Sequence, residues 1–217
     1  LRQDDDDVVT LARKRLRSKF FGSHPLALDA QGDLAGVGAL TAADLAALHR
    51  RLCVGPNVVL AVAGDFDPRQ LGPKLRRLLA RIPAADASPA MPARAATGAL
   101  PAERGDFVER VPREQAVVLQ GFPGPAVNDP DFYVSEVIDE LFSGMASRLF
   151  ERVREEKGLA YFVRSGRVVG LDSGMFYFIA GTQPGREDEV LAEIDAEIAR
   201  VQAGQVEGTE LTRCQTR

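Results

Sequence analysis

Histidine is scarce in this chain: His24 and His49 are the only two. Neither lies in an H-x-x-E-H or H-x-x-x-H pattern. No glutamate precedes Glu103, so the early part of the chain can supply no glutamate ligand or base. A zinc site takes three or four ligands from histidine, cysteine and carboxylates. These absences therefore argue against catalytic zinc bound by this chain alone. His24 reads as a turn histidine and His49 as a helix-surface one. Cys53 and Cys214 stand far apart, without metal-like spacing, and two thiols make no disulfide framework. Each reads as a small apolar side chain. Lysine is nearly as rare: Lys14, Lys19, Lys74 and Lys157 are the only four among 27 basic residues. With so many alanines beside the arginines, this reads as codon bias rather than chemistry.

Other absences exclude whole classes of function. There is no G-x-S-x-G elbow and no P-loop. Gly32, Gly36 and Gly38 are too loosely spaced for a phosphate fingerprint and do not directly follow a strand. No apolar run could span a bilayer, and no segment has the layout of a signal peptide. The net charge is −4, with 31 acidic against 27 basic residues. That balance gives no electrostatic reason to expect nucleic acid or an anionic membrane as partner.

What is present is an ordinary globular composition, 45% hydrophobic and 27% charged over 217 residues. It leaves room for one large domain or two small ones. Asp4 to Asp7 precede a helical pattern of Val8, Leu11, Ala12, Leu16 and Phe20. Such an acidic start could hold a divalent cation, but a solvated, dipole-favoured helix N-terminus is the commoner reading. Residues 21–26 are turn-rich, and a glycine loop continues to Gly38. Thr41, with Asp44 three residues on, opens a second helix whose stripe is Leu45, Leu48 and Leu52, ended by Gly55-Pro56. Residues 57–64 (NVVLAVAG) are a continuous apolar run, short for a helix, and predict a buried strand. A helix over 69–81 follows, with Leu71, Leu75, Leu78 and Leu79 inward.

Residues 84–105 are Ala/Pro-rich and aperiodic, which predicts a linker. It divides the chain into units over 1–83 and 106–217. Residues 107–111 and 115–122 read as strands. Asp129-Pro130 starts a helix through about Phe142, burying Val134, Val137, Ile138 and Leu141. A long helix over 186–203 carries Val190, Leu191, Ile194, Ile198 and Val201, and Gly204 stops it. Thr209-Glu210-Leu211 begins another helix just before the end, so the second unit reads as incomplete. Helices and strands mix without strict alternation. The expected fold is α+β, with helices on one face of a mainly antiparallel sheet, and the sequence shows no internal repeat.

The most informative stretch runs from Ser143 to Gly181. Ser143 or Ser147 can cap a helix whose apolar stripe is Leu149, Phe150 and Val153. Gly158 stops it. Residues 161–169 and 175–180 then read as strands. Arg154 falls in the last helical turn and Tyr161 at the start of the first strand, so both polar ends could point past one sheet edge. Arginine offers a fixed fork of donors and tyrosine a neutral O–H. Together they could grip a peptide carbonyl or steady an oxyanion. The residues alone leave a plainer alternative open: Arg154 pairing with Glu151, and Tyr161 as a core-edge aromatic.

The stretch SRLFERVREEKGLAYFVRSG followed by DSGMFYFIAGTQP resembles the second, non-zinc domain of the M16 metallopeptidases, the family of pitrilysin, insulysin and the mitochondrial processing peptidase. Arg154-Glu-Glu-Lys-Gly-Leu-Ala-Tyr161 is similar to that family's substrate-gripping arginine–tyrosine pair. FGSHPLA, LTAADLAALHRRL and GPNVVLAVAGDFDP, in that order, resemble the later half of the zinc-bearing domain. The resemblance implies two homologous α+β domains closing around an unfolded peptide. One would hold zinc through H-x-x-E-H and a downstream glutamate, and the other would contribute Arg154 and Tyr161. This chain departs from the pattern. H-x-x-E-H is absent, and where the downstream glutamate is expected only Asp4–Asp7 stand.

The expectation is therefore a piece of a zinc endopeptidase, with zinc in the complete enzyme and none on this chain. Its partners would be a peptide or unfolded polypeptide and the missing zinc-bearing half or a partner subunit. The alternatives are a non-catalytic family member that binds peptides or assembles with an active chain, and an unrelated α+β binding module.

Overall fold

The computed structural model describes residues 7–84 and 105–216, and the chain divides into two compact units. One joins Leu1–Gln31 to Thr97–Arg217; the other is Gly32–Ala96. This division differs from the expected boundaries at 83 and 106, because the first helix belongs with the C-terminal sheet. Most of the expected linker, and Asp4–Asp6 of the acidic run, lie outside the described residues.

Helix α1 (Val8–Phe21) starts where the Asp7 side chain accepts a hydrogen bond from the Val9 N–H. Asp7 thus acts as a helix cap, which satisfies one of the orphan amides of the first turn. The chain then turns through a 3₁₀ segment, Pro25–Ala27, capped by His24.

The unit Gly32–Ala96 contains helices α2 (Leu34–Ala39), α3 (Ala42–Leu52) and α4 (Pro68–Leu79). The predicted loop around Gly36 is instead the short α2, because Asp33 caps it by accepting from the Gly36 N–H. The capping box at Thr41 and Asp44 forms as expected. Residues 58–63 correct the sequence reading: they adopt no regular structure, and Val59 is 94% exposed. A strand is stabilised by its hydrogen-bonded neighbour, and no described strand pairs with this one. The stripe Leu45, Leu48 and Leu52, and Leu78 and Leu79 of α4, are likewise exposed rather than inward.

The other unit is built on a three-stranded antiparallel sheet of order β1-β3-β2. Its strands are β1 (Ala116–Gly124), β2 (Ala160–Val169) and β3 (Gly174–Thr182). Residues 107–111, expected as a strand, are exposed and irregular. Between β1 and β2 lie α5 (Phe132–Phe142) and a π-helical segment, Phe150–Glu156. After β3 come α6 (Glu187–Gln202) and α7 (Gly208–Gln215).

One sheet face supplies Val118, Val163, Phe176, Phe178 and Ala180 to the core. The ring of Phe178 meets Phe122, Phe142 and Phe176 edge-on, with centroids 5.1–6.0 Å apart. Such T-shaped contacts suit the ring quadrupole. Leu141, Leu149, Val153, Val190 and Ile194 from the helices close this core. The opposite face carries Gly121 and Met175. A side chain at Gly121 would meet Leu16 and Phe20 of α1 at 3.2–3.3 Å, so the glycine admits that helix to the sheet. Val134, expected inside, is 54% exposed, and Ser135 is buried in its place.

Leu149 is fully buried and Val134 is not. We therefore expect Leu149→Ala to cost about 2–5 kcal/mol of unfolding free energy. Val134→Ala should stay within about 0.5 kcal/mol of the wild type. Urea titrations of the two variants check both values.

Candidate functional site

The site is built on the corner between the π-helical segment and β2. The Ser147 Oγ accepts from the Phe150 N–H at 3.2 Å, so Ser147 caps the helix, one of the two candidates for that role. Ser143 instead bonds the Ser165 carbonyl and hydroxyl. Leu149 and Val153 anchor the segment in the core, and Phe150 is half-buried. Gly158 ends the segment with φ +56°, a left-handed conformation for which glycine is suited. The amides of Gly158 and Leu159 close on the carbonyls of Arg154 and Val153 at 3.1 and 2.9 Å. The buried Thr182 hydroxyl donates to the Leu159 carbonyl at 2.6 Å and pins the corner to β3.

Two departures from regular geometry set the candidate side chains. Arg154 rides on the π-helical stretch, a rare, wider coil often found at functional sites. Its guanidinium lies 4.8 Å from the Phe150 ring centroid, and its Nε is 3.8 Å from Glu155 Oε1. Glu155, not the anticipated Glu151, is its acidic neighbour. The Arg154 side chain remains 45% exposed, so the fork of donors stays open to solvent.

Tyr161 sits in a β-bulge. Ala160 pairs with Thr182 and Phe162 with Gly181, so β2 carries one extra residue there. Strict alternation would place Tyr161 on the same face as Val163, which is buried in the core. The bulge breaks that alternation and leaves Tyr161 54% exposed. The core-edge reading of this tyrosine does not hold. The phenol is accessible because the strand is irregular at that residue.

Around Arg154 runs a set of ion pairs that local spacing does not disclose. Glu193 on α6 accepts from Arg152 Nε at 3.3 Å and from the Lys157 ammonium. Arg152 also reaches Glu156 at 2.5 Å. Arg148, just before Leu149, pairs with Glu210 of α7 at 2.6 Å and lies 3.6 Å from the buried Glu197. Apart from Arg152 and Glu156, one helical turn apart, the hydrogen-bonded partners are separated by 36 to 62 residues, so only the fold brings them together.

The remaining sequence candidates do not assemble. His24 is buried; its Nδ1 accepts from the Leu26 N–H, and its Nε2 lies 3.4 Å from Asp172. His49 is exposed on α3, Cys53 is exposed and Cys214 is buried. Among the described residues no three histidine, cysteine or carboxylate side chains cluster as metal ligands. No described helix is long and apolar enough to cross a membrane.

A family model described as "Peptidase M16 inactive domain" matches residues 39–217. An uncharacterised zinc protease of Streptomyces coelicolor is 31% identical over 190 residues, covering 86% of this chain and 41% of that protein. One of Mycobacterium leprae is 30% identical over 203 residues, covering 91% and 44%. The chain thus spans less than half the length of these curated relatives. Among solved structures, the M16 inactive domain of Pseudomonas fluorescens superposes with a TM-score of 0.78 at 22% identity, over 99% of this chain and 52% of the other. A protease of Helicobacter pylori gives 0.80 at 20% identity, over 98% and 52%. These likenesses establish the shared α+β fold.

The hydrogen bond from Lys157, and after it the charges of Lys157 and Arg152, hold the Glu193 carboxyl below its ordinary 4.5, against partial desolvation. A carboxylate lowered on folding stabilises above its unfolded pKa and stops doing so as pH falls through the folded value. We expect Glu193→Gln to melt below the wild type at neutral pH. That gap should close as the pH drops below 4.5. Melting curves of both proteins from pH 7 to pH 3 measure it.

Proposed function

The chain belongs to the M16 peptidase family, and from that membership we propose that it supplies the arginine–tyrosine half of a peptide-binding chamber in a zinc-dependent endopeptidase. One observation carries the reading. Arg154 and Tyr161 flank a single pinned corner and both are accessible, Arg154 on the π-helical stretch and Tyr161 at the bulge. The zinc-protease names of the curated relatives support the wider assignment.

In this reading the substrate is an extended peptide or unfolded polypeptide. The guanidinium and the phenol donate hydrogen bonds to the carbonyl of the scissile amide. The guanidinium offers a fork of N–H donors and the phenol a single O–H. As charge develops on the carbonyl oxygen, these donors become stronger partners, which favours the transition state over the ground state. The Phe150 ring beneath Arg154 limits the positions of a long, flexible side chain and lowers the ordering cost of binding. Zinc belongs, in this proposal, to the remainder of the complete protein or to a partner subunit. This chain contributes grip and orientation.

The second reading is a non-catalytic family member that binds peptides or assembles with an active chain. The family model's own description, an inactive domain, fits this reading as well as the first. The two diverge on one fact: whether the complete gene product encodes H-x-x-E-H and binds zinc when assayed intact.

In the complete protein, Arg154→Ala and Tyr161→Phe should each lower peptide cleavage by about 10²–10³-fold. Because both side chains are substantially exposed, melting temperatures should barely move. Steady-state kinetics beside melting curves test this, and cleavage at the wild-type rate in either variant would refute the role.

A further inference from the structure

We propose that Glu193 is a positioning residue for Arg154, holding the π-helical segment against α6 so that the guanidinium leaves the corner in one direction. The inference rests on the function proposed above and extends it to a residue on another element. Arg152 precedes Arg154 by two positions and Lys157 follows it by three. Both side chains converge on the one Glu193 carboxylate, at its two oxygens: Arg152 Nε on Oε2 and Lys157 on Oε1. Glu193 therefore brackets Arg154 from both sides. The bond from Arg152 to Glu156 stays within the same segment and cannot fix it to anything else. The pairing of Arg148 with Glu210 fixes the segment's start. Glu193 fixes its end.

The physical case turns on the difference between stability and placement. Solvent-accessible ion pairs add little to folding free energy. The Arg152 and Lys157 side chains are about a third exposed, while Glu193 is 17% exposed. Placement follows a different rule, because a displacement of about 1 Å in a gripping group can cost up to a hundredfold in rate. A π-helical stretch has an alternative open to it, the narrower α-helix, which would rotate Arg154 relative to Leu149 and Val153. Two cross-links at its far end oppose that change.

The test uses the complete protein and a panel of quenched fluorescent peptides. Glu193→Gln should lower kcat about ten- to hundredfold with KM changed far less. In an Arg154→Ala background the same substitution should add no further loss, since its effect passes through Arg154. Glu193→Asp, which keeps the charge, should recover part of the rate. A wild-type kcat in Glu193→Gln, or a loss that multiplies fully with that of Arg154→Ala, overturns the inference and leaves the gripping pair standing. If Arg154→Ala itself cleaves normally, or the wild-type protein cleaves nothing, the underlying function fails and this inference with it.

Discussion

Strand β3 is hydrogen-bonded along both edges and buried along nearly its whole length. It gives the C-terminal unit its fixed frame. Its last residue, Thr182, pairs with Ala160 and also donates through its hydroxyl to the Leu159 carbonyl. That second bond satisfies a carbonyl at a turn where no ladder partner is available, in a place sealed from water. An unpaired buried carbonyl would cost on the order of 1–3 kcal/mol. The corner carrying Arg154 and Tyr161 is consequently tied to the central strand of the sheet.

Rigidity at the corner coexists with irregularity on both sides of it. The π-helical segment and the β-bulge each depart from the regular pattern, and each costs some hydrogen-bond quality. The surroundings hold both in place. Leu149 and Val153 are locked in the core, Ser147 caps the start, and charged side chains bind the segment to α6 and α7. Functional side chains placed on supported elements keep their geometry better than those on free loops. In the proposed function, the accessible guanidinium and phenol beside this turn would meet a backbone carbonyl.

Legibility from sequence followed the range of the interactions. Helices with local caps were readable: Asp7, Thr41 with Asp44, and the glycine stop at Gly158 act on residues within a turn. Strands β2 and β3 were readable because their aromatic and β-branched runs are bounded by turn residues. Residues 58–63 and 107–111 have the same local appearance, yet neither pairs among the described residues. An apolar run states a capacity to pair, and pairing needs a second backbone. Val134 misled for a related reason: helical spacing defines a stripe but not which edge of it meets the sheet.

The sequence by itself determined the capped helices, the two strongest strands and the motif Arg154 to Tyr161, since these depend on neighbours a few residues apart. It also named the family through that motif. Only the tertiary structure decided that Tyr161 turns outward, because a bulge exists only relative to a partner strand. It alone decided that Glu193 stands between Arg152 and Lys157. Charges 36 and 41 residues apart meet only after the core has brought their helices together.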